Sequence, residues 1–191
     1  MVRASRWDHV KVSCLPASLH NRPERIPEAV RERIHANRGA FAGIFVAYGD
    51  CGTGGELDRV LAEEGVERLP GAHCYAFLSG VDAFARLAEE EPGTFYLTDF
   101  LARHFDRLVL RGLGLDRHPQ LLPLYFGNYR RLVYLAQRRD PGLLDRARRA
   151  AQRLGLPLEV RHTGLEPLAE ALLPQATESE THDKRRYSVL A

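Results

Sequence analysis

Hydrophobic positions along this chain alternate between short continuous runs and the wider spacing of a single helical face. The run VKVSC predicts a first strand over 10–14, and the spacing over 26–38 predicts a helix with Pro27 in its first turn. AGIFVAYG, at 42–49, is apolar almost throughout, the pattern of a strand buried on both faces. A helix follows over 56–64 with Gly65 as its stop, then a short strand over 66–69 and a turn at Pro70 and Gly71. Residues 75–91 read as mostly helical and are broken by Pro92-Gly93-Thr94. Beyond them the pattern predicts a strand over 95–97, a long amphipathic helix over 99–113 and a helical stretch over 120–126. A strand over 131–137, an arginine-rich helix over 141–154, a strand over 158–164 and a helix over 166–173 complete the pattern.

Strands separated by helices must pair in parallel through crossovers, so the fold class expected is α/β, a three-layer sandwich with a mainly parallel sheet. The span 8–173 reads as a single α/β domain, and 174–191 loses periodicity and reads as a disordered tail. The balance of 27 basic against 25 acidic residues leaves +2, which gives no sign of a surface dedicated to nucleic acid or membrane. No apolar stretch approaches the roughly twenty residues of a membrane helix, and the N-terminus lacks the apolar core of a secretory signal. Three widely spaced cysteines in a chain of this size point to a reducing, cytoplasmic setting with free or metal-bound thiols.

Those cysteines carry the main chemical expectation. Cys14, Cys51 and Cys74 each fall where a predicted strand gives way to a loop, and the carboxyl ends of parallel strands line the ligand crevice of an α/β sheet. With His73 they form a Cys₃His set, suited to zinc or, as the alternative, to an iron–sulfur cluster. No CxxC or CxxH pair supports the set by spacing. His73 and Cys74 are neighbours whose side chains diverge on regular structure, so both ligate one ion only if the turn at 70–71 bends the backbone. Otherwise Cys74 serves. The competing reading is that all three are small core residues that happen to end strands.

The loop at 49–55, GDCGTGG, opens a helix after a buried strand, a context in which the amides of Gly49, Gly52, Thr53 and Gly54 can cradle an anionic cofactor. It is neither GxGxxG nor a Walker loop, and its glycines equally well serve a tight turn. Cys51 near a helix N-terminus is expected to have a lowered pKa. Asp50 is a candidate general base or, alternatively, a local turn cap. Tyr48 and Tyr75 are candidate proton donors, although aromatics in such places more often wall a pocket. The later segment holding His118, Tyr125, Asn128 and Tyr129 reads either as a lid or as a connection between helices.

The series VSC, YGDCGTGG, PGAHCY and PGTFYLT resembles the bacterial and archaeal domain-of-unknown-function family 1638, with its YGxCGxG, PxxH(x)C and PGTxYLT elements, from about residue 10 to 160. Commoner members of that family place one residue between the histidine and the cysteine, whereas here His73 directly precedes Cys74. The resemblance strengthens the Cys/His site. Because the family's genes often lie beside corrinoid-dependent methyltransferases, it also implies a metal-binding role in one-carbon or methyl-group metabolism. Two forms of that role follow. One is metal-dependent methyl transfer or hydrolysis on a small-molecule substrate; the other is delivery of a metal or cofactor to a protein of the corrinoid methyltransferase system.

Overall fold

The alternation of strand and helix is realised as two parallel sheets flanked by helices, in a computed structural model that describes residues 10–69, 71–177 and 187–190. The elements are β1 (Val10–Ser13), α1 (Ile26–Asn37), β2 (Gly43–Val46), α2 (Glu56–Glu64), β3 (Glu67–Arg68), α3 (Cys74–Ser79), α4 (Val81–Glu90) and β4 (Thr94–Thr98). They continue with α5 (Asp99–Phe105), α6 (Leu122–Phe126), β5 (Arg131–Ala136), α7 (Pro141–Leu154), β6 (Leu158–His162), α8 (Glu166–Thr177) and β7 (Tyr187–Leu190). The α/β class is as the alternation predicts. Helix ends follow local chemistry: the Asp140 carboxylate accepts from the N–H groups of Gly142 and Leu143 at 2.9 and 3.1 Å, and Gly155 closes α7 in the left-handed region.

Three segments depart from the hydrophobic pattern. The helix expected over 75–91 is two helices, because Gly80 adopts φ +87° between them. The helix expected over 99–113 is α-helical only to Phe105; His104 leaves helical geometry, and Asp106–Arg111 continue as a wider π-turn. The segment expected to be a disordered tail contains β7, which pairs in register with both β1 and β2. Its sequence, Tyr-Ser-Val-Leu, is short but rich in strand-forming side chains, and only long-range pairing makes so brief a run a strand. Residues 178–186 of that segment lie outside the described residues.

Where the sequence reads as one domain, the contacts divide it into two compact units, one of residues up to Phe77 with those from Leu168 onward, the other Leu78–Pro167. The first holds the sheet β1-β7-β2-β3, with every pair parallel. Its core is Leu15, Ile26, Val30, Ile34, Val46, Leu57 and Leu61, the inward faces of α1 and α2 against the sheet. Outside that core, Glu64 of α2 pairs with Arg31 of α1 and with Arg38 just beyond its end, at 2.9 and 2.7 Å.

The second unit holds the parallel sheet β4-β5-β6, with β5 buried at its centre. The segment that could have been a lid is a packed connection here. Phe126 and Tyr129 meet Phe95 of β4 edge-on, at ring separations of 5.3 and 5.6 Å. At the carboxyl end of β4 the buried Asp99 accepts from the Tyr134 hydroxyl at 2.7 Å, the Gln137 N–H at 3.2 Å and the Arg138 guanidinium at 3.4 Å. Burial and the Asp99 carboxylate push the Tyr134 phenol up, so it stays a donor across the physiological range.

Truncation of Asp99 therefore strands a buried hydroxyl and a backbone donor together. Asp99→Ala is expected to cost about 3 kcal/mol in urea unfolding, whereas Asp145→Ala, which removes an exposed partner of Arg149, should leave the midpoint in place. Equal effects of the two would show that the Asp99 cluster contributes nothing special.

Candidate thiol site

Parallel pairing sets the carboxyl ends of β1, β2 and β3 along one edge of the first sheet, so the segments that follow them emerge together. After β2 comes the 49–51 backbone, and after β3 the 71–74 backbone. The two are joined by hydrogen bonds from the Asp50 N–H to the Gly71 carbonyl, 3.1 Å, and from the Cys51 N–H to the Ala72 carbonyl, 2.8 Å. Gly49 is buried at the crossing: a Cβ there would lie 2.8 Å from the His73 carbonyl carbon and 3.0 Å from the Cys74 nitrogen. Only glycine lets the two backbones approach this closely. Cys51 then takes φ +50°, a left-handed conformation that costs a non-glycine residue about 1 kcal/mol.

The glycine loop cradles an anion, and that anion is its own. The Asp50 carboxylate accepts from the Thr53 hydroxyl and from the N–H groups of Gly54, 3.3 Å, and Gly55, 3.0 Å. These donors hold the Asp50 carboxyl below its ordinary range, Thr53 contributing most. Asp50 is thereby a clamp that shapes the entry to α2, and the donors of Thr53 and Gly54 are engaged within the loop. Gly52 turns the chain at φ +85° beside Pro23. A residue that sequence reasoning missed, Arg68, fixes the other side. Its guanidinium donates to the carbonyls of Leu69, 2.7 Å, and Gly71, 3.1 Å, while pairing with Asp58 of α2 at 2.6 Å. No periodicity links Arg68 to Asp58; only their placement on adjacent elements does.

Within this frame the Cys51 and Cys74 thiols act on one another's titration. The Cys74 S–H donating to the Cys51 sulfur, helped by the backbone N–H groups of Cys74 and Gly49, brings the Cys51 thiol down to about 7 despite partial burial. The Cys74 thiol is pushed up, first by that same bond and then by desolvation. The proton shared by the pair therefore resides on Cys74. Tyr48, packed on the core of the unit, feels all three cysteines: burial, then the charges of Cys51, Cys74 and Cys14, push its phenol up to about 12. Its hydroxyl is a protonated donor at neutral pH.

Of the expected site residues, Tyr48, Gly49, Asp50, Cys51 and Cys74 come together. His73 is exposed and its ring lies 6.3 Å from that of Tyr75. Pro70, on whose turn a joint role for His73 and Cys74 depends, lies outside the described residues. Cys14 is exposed at the end of β1. Because β7 lies between β1 and β2, Cys14 starts two strand spacings, about 10 Å, from the β2 end. Among the described residues no three His, Cys, Asp or Glu side chains gather closely enough to enclose one metal ion.

The model of the family described as "Protein of unknown function (DUF1638)" matches residues 14–172. The chain belongs to this family. No curated protein and no solved structure matches it. The span matched to DUF1638 begins at Cys14 and takes in every residue of the thiol site, while β7 lies beyond its end.

Two outcomes follow from the geometry. In reduced, metal-free protein, alkylation of Cys51 by iodoacetamide should rise with pH through a midpoint near 7 and fade below it as the thiolate is protonated. Cys74→Ala removes the donor and should move that midpoint up toward the ordinary thiol value of about 8.5; an unmoved midpoint would show that the pair is not coupled. Gly49→Ala should force the 49–51 and 71–74 backbones apart, so it should lower the melting temperature and raise the same midpoint. A variant with both unchanged would disprove the close approach.

Proposed function

We propose that this DUF1638 protein binds a soft metal ion, zinc, through the Cys51 and Cys74 thiolates, with Cys14 available from the same sheet edge, and serves corrinoid-linked one-carbon or methyl-group metabolism. The observation that carries the metal reading is the crossing of the 49–51 and 71–74 backbones, which brings the segments bearing Cys51 and Cys74 side by side. Zinc–sulfur bonds near 2.3 Å in a tetrahedron hold two thiolates about 3.8 Å apart, and adjoining segments carry the two cysteines here. The donor chemistry thus fits two positions of such a site. The metabolic setting comes from the family resemblance.

Bound zinc would supply a Lewis acid toward a thiol or water. The chain's own residues do the rest. Gly49, Asp50 and Arg68 hold the two loops at fixed separation, and Tyr48 closes the core side and presents a protonated hydroxyl. Two protein thiolates leave positions for a substrate thiol, which suits catalysis, or for a ligand from a partner protein, which suits metal delivery. The same contact favours one metal-free alternative, in which Cys51 acts as a nucleophilic thiolate with Cys74 as its hydrogen-bond donor.

Elemental mass spectrometry and a visible spectrum, on protein purified without oxygen or chelator, separate these readings. The expected result is about one zinc per chain without colour, falling to a small fraction in Cys51→Ser and in Cys74→Ser. Iron with visible absorption would replace zinc by a cluster. Metal-free protein whose Cys51 remains reactive would leave the thiolate reading alone standing.

A further inference from the structure

The second unit carries a basic groove that the thiol chemistry does not use. Along α7, Arg146, Arg149 and Arg153 follow one another at spacings of three and four residues and so share one helix face. Across from them Arg103 of α5 and Asp106 of the π-turn complete the rim, over a floor that includes Phe105 and Ala150. The cavity has a volume of about 360 Å³, within the range of roughly 300–1,000 Å³ typical of small-molecule sites.

Four guanidiniums against one carboxylate give the lining a charge of 4 − 1 = +3. Arg149 is paired with Asp145, but among the described residues Arg103, Arg146 and Arg153 have no carboxylate partner. Like charges gathered on one concave surface repel one another unless an anion joins them, and the guanidinium fork matches phosphate oxygens in pairs. The concentration of charge has a local witness. Burial, then the nearby cations Arg107, Arg103 and Arg146, hold the His104 imidazole below its ordinary range. The backbone is also irregular here, with His104 off helical geometry and the π-turn beginning at Asp106, as is common where a helix is shaped around a ligand.

We infer that this groove binds a small phosphorylated ligand carrying two or more negative charges, with Arg103, Arg146 and Arg153 gripping its phosphates. The cavity favours a small molecule over an acidic protein segment, because the arginines surround a concave floor of limited volume and do not spread along an extended surface.

The test is calorimetric titration of the full chain with inorganic pyrophosphate at physiological ionic strength. Saturable binding at one site per chain is expected. The double variant Arg146→Gln/Arg153→Gln should weaken it at least about tenfold, with an unchanged melting temperature showing that the fold is retained. Arg148→Gln, on α7 but outside the groove, and Cys51→Ser should each bind as the parent does. Absence of saturable binding up to about 10 mM, persistence of binding in the double variant, or equal loss in Arg148→Gln would each overturn the proposal. Binding of a glutamate-rich peptide in place of pyrophosphate would overturn it in favour of a protein partner.

Discussion

The thiol site depends on a contact between two backbones. Gly49 lies against the peptide joining His73 to Cys74, and two hydrogen bonds beside it fix the crossing. The thiol chemistry follows from that closeness: Cys51 and Cys74 shift one another's titration because the chains that carry them are held together. Asp50 and Arg68 then act as two anchors. One ties the first loop to the start of α2, the other ties the second loop to Asp58 on the same helix. The helix serves as a common base for both.

The order of strands decides which thiols become partners. β3 adjoins β2, so the loops that follow them are neighbours and Cys51 finds Cys74. β1 is held away by β7, the last strand of the chain, which enters between β1 and β2. Cys14 nevertheless shares the sheet edge and the electrostatic surroundings of Tyr48. The spacing of the three strand ends is thus set by a strand inserted from far along the sequence.

Charge is handled differently in the two units. In the first, the loop anion is internal and its donors are satisfied, so the glycine loop is a structural device. In the second, Asp99 gathers a tyrosine, a backbone amide and an arginine at the end of β4, which locks β4 to β5. The groove beside α7 is the contrasting case, with guanidiniums facing one cavity and too few carboxylates to balance them.

Much of this was legible in the residues. Apolar runs and helical spacing placed most strands and helices because burial imposes a period on each, and Pro27 and Gly65 marked helix ends through local chemistry. The strand-end position of the three cysteines follows from the same pattern, since parallel pairing puts such ends on one edge. Tertiary structure alone decided the rest. Gly80 and the π-turn broke helices whose side-chain spacing was continuous, because backbone geometry is not written in hydrophobic period. β7 was invisible because four residues gain strand structure only from partners more than a hundred positions away. The pairing of Cys51 with Cys74, the distance of Cys14 and the turning of Asp50 onto its own loop were settled by strand order and close approach, which no local run of residues contains.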